Sequence, residues 1–355
     1  MSTIEQVLEK FKGIVIRVPS LYSLSPSWHP RVVPDLDGKI EEHVESWRQR
    51  WVPEPAAYKQ SLGANCNYCV RAISPEANIP SLQIGARYVS WLFAWDDDLD
   101  LGTFNGSARQ RELIRIEVLR AVQKALLGNT VIEKPSDWRD TPPNLAESFS
   151  DIGFSLQDGT ELEPLQHFLC DTLCDYITEA VRLEDVSQDG IILDLDVYLE
   201  GRMENSGVYP TIAQSLLLQD IALPAWFLKH PIPMKMMRHI SIMVALCNDI
   251  VSAHKEMGCK RIDNIVPLLV YHQGLEPQEA VYHICQIIHD SYTAFENLVP
   301  EVLALASENG LAAGPTFVTG CKDIYIGLAN WTYYTKRYHD FQPEEGETEV
   351  LITMG

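Results

Sequence analysis

"IPSLQIGARYVSWLFAWDDDLD", Ile79 to Asp100, reads as a long, largely buried helix that runs into acid. Asp96, Asp97, Asp98 and Asp100 crowd its end, just before Gly102. The carbonyl end of a helix already carries partial negative charge, so carboxylates there are disfavoured by the dipole and by one another. Asp96 and Asp100 are one turn apart and share a face. A divalent cation relieves both problems, and clustered carboxylates suit Mg²⁺, which takes oxygen ligands and keeps positions open for water and phosphate. The plainer alternative is a solvated acidic helix end, and the cluster alone does not choose between them.

A second stretch changes that balance. "CNDIVSAHKEMG", Cys247 to Gly258, follows the apolar "SIMVAL" and places Asn248, Ser252 and Glu256 at i, i+4 and i+8. At 3.6 residues per turn these drift only about 80° across one face and span about 12 Å. An amide oxygen, a hydroxyl and a carboxylate then point the same way. Lys255 lies beside them, ready to meet a phosphate as a point charge.

Around these clusters the chain reads as helix after helix. "DLDGKIEEHVESWRQRWV" starts from Asp35 as a plausible cap, and "SARQRELIRIEVLRAVQKALLG" stops at Gly128. Four further helical patterns run over 161–184, 233–258, 277–299 and 316–338, the last reaching Tyr338 as one continuous helix. No series of alternating strands is evident. "RVPSLYSLSPSWHPRVVP" reads as an ordered, irregular strap. The expected architecture is all-α, one domain over 1–340 followed by an acidic, mobile tail over 341–355.

Composition limits the partners. With 355 residues and 46% hydrophobic content, a sizeable core is expected. The net charge of -21 and the lack of a basic run argue against nucleic acid and against anionic membranes. Nothing in "MSTIEQVLEKFKGIV" resembles a signal peptide, and no apolar run is long enough to span a bilayer. The expectation is a soluble, cytoplasmic protein, monomer or homodimer, without stable membrane insertion. Its eight cysteines, including the Cys66/Cys69 and Cys170/Cys174 pairs, read as reduced, buried small hydrophobes rather than a zinc site. An anionic substrate then has to bind through local bases or metal ions.

"DDDLD" matches a DDxxD motif and "NDIVSAHKE" matches the NDxxSxxKE form of a second metal motif. The chain thus resembles class I terpene synthases, microbial sesquiterpene cyclases in particular. "KRYHDF" adds an Arg337-Tyr338 pair like that family's, and Arg202 in "GRMENSGVYP" matches its diphosphate-sensing arginine. The resemblance extends over nearly the whole chain and implies the single-domain class I terpenoid synthase helical bundle. It implies Mg²⁺ held by Asp96 and Asp100 on one wall, with Asp97 a less firm member, and by Asn248, Ser252 and Glu256 on the other, three ions in all. It implies that Arg202, Lys255, Arg337 and Tyr338 bind the diphosphate of farnesyl diphosphate. It also implies a helix break at Ser206-Gly207 and Pro210 that aims the Ser206 carbonyl at a developing allylic cation. Asn205 stands where the family often has Asp.

Phe93, one turn before Asp96, and Trp331, two turns before Tyr338, are expected to line the cyclisation wall, where a ring's quadrupole stabilises a carbocation. Two other activities fit the same fold. A prenyl chain-elongating synthase normally carries a second aspartate-rich motif in place of "NDIVSAHKE". A catalytically silent isoprenoid-binding protein should have lost metal ligands that this chain keeps.

Overall fold

The computed structural model describes residues 3–35, 37–101, 107–133, 144–153, 160–338, 341 and 348–354, with the side chains of 100, 101, 144, 145 and 160 outside that description. The helices are α1 (Thr3–Glu9), α2 (Lys39–Trp51), α3 (Pro55–Gly63), α4 (Cys66–Ile73), α5 (Ile79–Leu101), α6 (Ala108–Leu127), α7 (Asn144–Gly153) and α8 (Glu163–Gln188). They continue as α9 (Leu195–Asn205), α10 (Val208–Leu218), α11 (Ala225–Leu228), α12 (Pro231–Gly258), α13 (Ile265–Gln273), α14 (Pro277–Glu308) and α15 (Gly314–Thr332). Strands β1 (Val15–Val18) and β2 (Val350–Thr353) complete the set. One connected hydrophobic core runs through the bundle. No helix among the described residues is long and apolar enough to cross a membrane.

Local chemistry accounts for the helix limits. Ser107 and Gln110 form a reciprocal capping box at the start of α6, and Gly128 ends it in the left-handed region at φ +76°. Asn264 caps α13 by accepting from the Val266 N–H at 2.9 Å. Asp35 does not cap α2. Its carboxylate accepts from Asn67 Nδ2 at 3.0 Å, and the helix starts later, at Lys39, after Gly38.

Two further expectations are corrected. The pattern over 316–338 is not one helix, because α15 ends at Thr332. The Lys336 N–H bonds the Gly63 carbonyl at the α3–α4 junction at 2.9 Å instead of a carbonyl one turn back, and the Thr335 hydroxyl and Trp331 indole N–H bond the Ala64 carbonyl at 3.1 and 2.8 Å. The chain turns inward there. The tail expected over 341–355 also ends differently. Val350–Thr353 pairs antiparallel with Val15–Val18, and Val350 is buried against the core. Both segments are rich in β-branched residues, and Ile16 and Val18 of β1 and Val350 of β2 turn inward, which supplies the reason. Residues 342–347 lie outside the described residues.

The N-terminal strap is ordered. The Leu21 N–H bonds the Tyr333 hydroxyl at 2.9 Å, Tyr22 bonds Asn330 at 2.7 Å, and the Trp28 indole N–H bonds Glu296 at 2.6 Å. These contacts brace α15, which supplies one wall of the cavity described below. The same helix lies so close to α4 that a Cβ on Gly327 would run into the Ala72 carbonyl and the Ile73 amide. Backbone cannot swing aside, so Gly327→Ala is expected to cost about 1–3 kcal/mol. A thermal melt beside wild type measures it, and an unchanged Tm would mean that the two helices part without cost.

Candidate active site

Four segments converge on one cavity. The last turns of α5 bring Phe93 and Asp96. The middle of α12 brings Asn248, Ser252, Lys255 and Glu256. Arg202, Asn205 and Ser206 come from the end of α9 and the break after it. Trp331, Arg337 and Tyr338 come from the end of α15 and the turn beyond it. Ile73, Val89, Leu92, Val208, Val244 and Leu328 make the rest of the lining apolar. The site residues expected from the sequence line this cavity except Asp97, the less firm member, which is not part of the lining, and Asp100, whose side chain lies outside the described residues.

The break between α9 and α10 has a local cause. Gly207 takes φ +67°, which a side chain would strain, and its carbonyl accepts from both the amide and the hydroxyl of Thr211. Pro210 has no N–H to continue the helix across Ser206. The Ser206 hydroxyl donates back to the Met203 carbonyl at 3.0 Å and meets Ser241 at 3.1 Å, which pins the break to α12.

The charged groups form two linked sets. Arg337 donates to Asp96 Oδ2 at 2.6 Å and Asp97 Oδ2 at 2.9 Å, and Lys255 Nζ lies 3.8 Å from Asp97. On the other side, Arg202 donates from Nε to Asp249 Oδ1 at 2.8 Å, from Nη1 to Asn205 Oδ1 at 2.9 Å and from Nη2 to Asn248 Oδ1 at 2.7 Å. Asn205 is neutral, yet its amide oxygen still accepts from the guanidinium. Asn248 Nδ2 donates to the Tyr338 hydroxyl at 2.7 Å and so joins the two sets.

Burial and neighbouring charge shape the titrations. Burial alone would push both guanidinium groups down, but Asp249 for Arg202, and Asp97 and Asp96 for Arg337, outweigh it and hold them charged. Burial, then Asp97, pushes Asp98 up to about 6. Burial and Asp249 also raise Glu256, while a hydrogen bond from Asn264 opposes them. Burial pushes Tyr338 up to about 12, so it remains a neutral phenol.

These donors fit a hard cation. Among the described residues no three His, Cys, Asp or Glu side chains form a ready cage. The oxygen donors include an amide and a hydroxyl instead. Ser252 Oγ is buried with no hydrogen-bond partner among the described residues, and it lies between Asn248 and Glu256 on the same face of α12. An orphaned hydroxyl beside a carboxylate that burial destabilises is what an oxygen-ligated cation would satisfy. Cys66 and Cys69 are buried free thiols, and burial raises Cys66 to about 11 and Cys69 well above its ordinary value.

The family model described as "Terpene synthase family 2, C-terminal metal binding" matches residues 87–294, which carry the α5 and α12 donors and Arg202. The chain belongs to the terpene synthase family. It is 25% identical to "Terpene cyclase braA" of Annulohypoxylon truncatum, over 98% of this chain and 92% of that protein. It is 25% identical to "Sesquiterpene cyclase hepA" of Aspergillus oryzae, over 90% of this chain and 88% of that protein. The structure of a linalool/nerolidol synthase from Streptomyces clavuligerus superposes with a TM-score of 0.72, covering 85% of this chain and 98% of that one at 19% identity. The all-α terpene synthase fold is thereby shared.

Other residues of this terpene synthase site were not singled out in the sequence. Tyr198 and Arg202 stand four apart on α9 and reach the two oxygens of buried Asp249, Tyr198 donating to Oδ2 at 2.7 Å. Asn264 Nδ2 donates to Glu256 Oε2 and to the Asp249 carbonyl, both at 2.8 Å. Tyr176 of α8 lines the cavity beside Gly207. The i, i+4 spacing of Tyr198 and Arg202 opposite an Asn-Asp pair was the available signal. Asp249→Ala would leave the buried Arg202 guanidinium without its counter-charge and is expected to cost about 3–5 kcal/mol. Urea denaturation would read the loss, and a cost under about 1 kcal/mol would place the pair in solvent.

Proposed function

We propose that the protein is a class I sesquiterpene synthase, a lyase that ionises farnesyl diphosphate and cyclises the allylic cation to a hydrocarbon or alcohol. One observation carries this reading. Asp96 of the α5 acidic run, the oxygen-donor cluster on α12 and three buried or half-buried bases share a single apolar, aromatic cavity. A polar rim suits a diphosphate and an apolar interior suits an isoprenoid chain.

Asp96 and Asp100 on α5, and Asn248, Ser252 and Glu256 on α12, would hold Mg²⁺, with three ions in the bound state. When present, the ions neutralise the diphosphate and make it a better leaving group. Arg202, Lys255 and Arg337 bind its oxygens, Arg through a planar fork and Lys as a point charge. Tyr338 donates its phenolic hydrogen. As the carbon–oxygen bond breaks, these groups hold the electron pair that leaves with diphosphate. The Ser206 carbonyl supplies negative charge near the cation because Pro210 offers no N–H to bond it. The aromatic and apolar lining shapes the cyclisation wall and keeps water away until the last cation loses a proton or is quenched.

Incubation with farnesyl diphosphate and Mg²⁺ should release a cyclic sesquiterpenoid, detected by gas chromatography with mass detection. Excess chelator should abolish it. Asn248→Ala and Glu256→Ala should each lower turnover by roughly 10²-fold or more while helicity by circular dichroism is retained. A longer linear diphosphate formed with added isopentenyl diphosphate would instead mark a chain-elongating enzyme.

A further inference from the structure

The aromatic column beside Arg337 has a different task from the rest of the wall. Phe93 stacks on Trp331 with centroids 5.3 Å apart and planes within 12°. The Arg337 guanidinium carbon lies over the same Phe93 ring, 4.6 Å from its centroid. The guanidinium thus covers part of a ring that also lines the cavity. Trp331 is itself fixed, its indole N–H bonded to the Ala64 carbonyl at 2.8 Å, and its ring meets Tyr338 edge-on at 5.8 Å. Both members of the Arg337-Tyr338 pair thus rest on the Phe93–Trp331 stack.

We propose that Phe93 is a positioning residue for diphosphate recognition: it holds the plane of the Arg337 guanidinium, and the ring offered to the carbocation is that of Tyr176. This rests on the reading of the cavity as a prenyl diphosphate site. Arg337 sits in a turn beyond α15, so no helix orients it. Its face meets Phe93 while its edge splits between Asp96 and Asp97. Stacking uses the guanidinium face and leaves the in-plane N–H edge free to bond, so one ring orients the fork without consuming a donor. When diphosphate arrives, the same edge turns to its oxygens without the side chain having to be ordered anew, which lowers the entropy cost of binding. Tyr176 comes from α8 and also lines the cavity. Its ring lies 3.5 Å from where a Cβ on Gly207 would stand, next to the break that bears Ser206. A ring there sits beside the carbonyl proposed to face the cation.

The test pairs two measurements on each variant: calorimetric titration with inorganic diphosphate and Mg²⁺, and the product ratio from farnesyl diphosphate. Phe93→Leu should weaken diphosphate binding roughly tenfold, as loss of a desolvated cation–π contact predicts, and leave product proportions unchanged. Phe93→Tyr, which keeps the ring, should restore binding to within about twofold. Tyr176→Leu should leave diphosphate affinity within about twofold and shift the products roughly tenfold toward early deprotonation. Melting curves accompany each variant, and Phe93→Met, flexible and ringless, replaces Phe93→Leu if the latter does not fold. A changed product ratio with normal diphosphate affinity in Phe93→Leu would return Phe93 to the cation wall. Normal values for both would reduce it to packing. Wild-type protein that neither binds Mg²⁺-diphosphate nor turns over farnesyl diphosphate would instead defeat the underlying functional reading.

Discussion

Arg202 and Asp249 form a buried ion pair on which both sides of the cavity depend. Each charge would be costly to bury alone, and neither is exposed enough for water to compensate. The pair is secured because every remaining valence has a use. Tyr198 and the Ile265 amide take the second Asp249 oxygen, and Asn205 and Asn248 take the two terminal nitrogens of Arg202. Through Asn264 the same network reaches Glu256, and through Asn248 it reaches Tyr338. The α9 break, the α12 donors and the turn after α15 are therefore placed relative to one another by hydrogen bonds rather than by apolar packing alone. Directional bonds of this kind specify a geometry that a hydrophobic contact leaves loose.

That network also explains how so acidic a chain can receive an anion. The net charge of -21 repels diphosphate at long range, yet the cavity concentrates three bases. None of them is idle in the structure. Arg337 lies on Asp96 and Asp97, Lys255 is near Asp97, and Arg202 lies on Asp249. Cations that occupied the carboxylates would release the bases toward phosphate oxygens, so metal and diphosphate should favour each other's binding. Either ligand alone would meet a site whose charges are already matched.

The sequence carried most of the helices and both oxygen-donor runs because these depend on short spacings. Apolar residues at helical intervals drew α5, α12 and α14, and the i, i+4, i+8 run drew Asn248, Ser252 and Glu256 onto one face. Misplaced features depend on distant partners. The pattern over 316–338 remains helical in period, but α15 stops where the Gly63 and Ala64 carbonyls, far away in sequence, capture Lys336 and Thr335. Asp35 looks like a cap until Asn67 takes its carboxylate. The C-terminal strand needs β1, more than three hundred residues earlier, before its β-branched residues mean anything. Asp249 stood beside a residue that was identified, but its role depends on Tyr198 and Arg202 arriving from another helix.

The two helix ends that matter most obey one physical rule with opposite outcomes. Beyond the end of α15 the Lys336 N–H and the Thr335 hydroxyl bond outside carbonyls, and the segment that departs there carries Arg337 and Tyr338 inward. Between α9 and α10 the helix is broken from within: Gly207 permits the left-handed turn and Pro210 withholds a donor. One break brings cationic and phenolic donors to the rim. The other leaves backbone carbonyl density at the cavity lining. A continuous helix can present side chains, as α12 does with Lys255, but not a free carbonyl, since its polar backbone groups are spent on each other. The Ser206 break and the Arg337-Tyr338 pair reach the cavity through two interrupted helices, beside the donors of the continuous α5 and α12, and the hydrogen bonds of Asn248 to Arg202 and Tyr338 keep those interruptions in register.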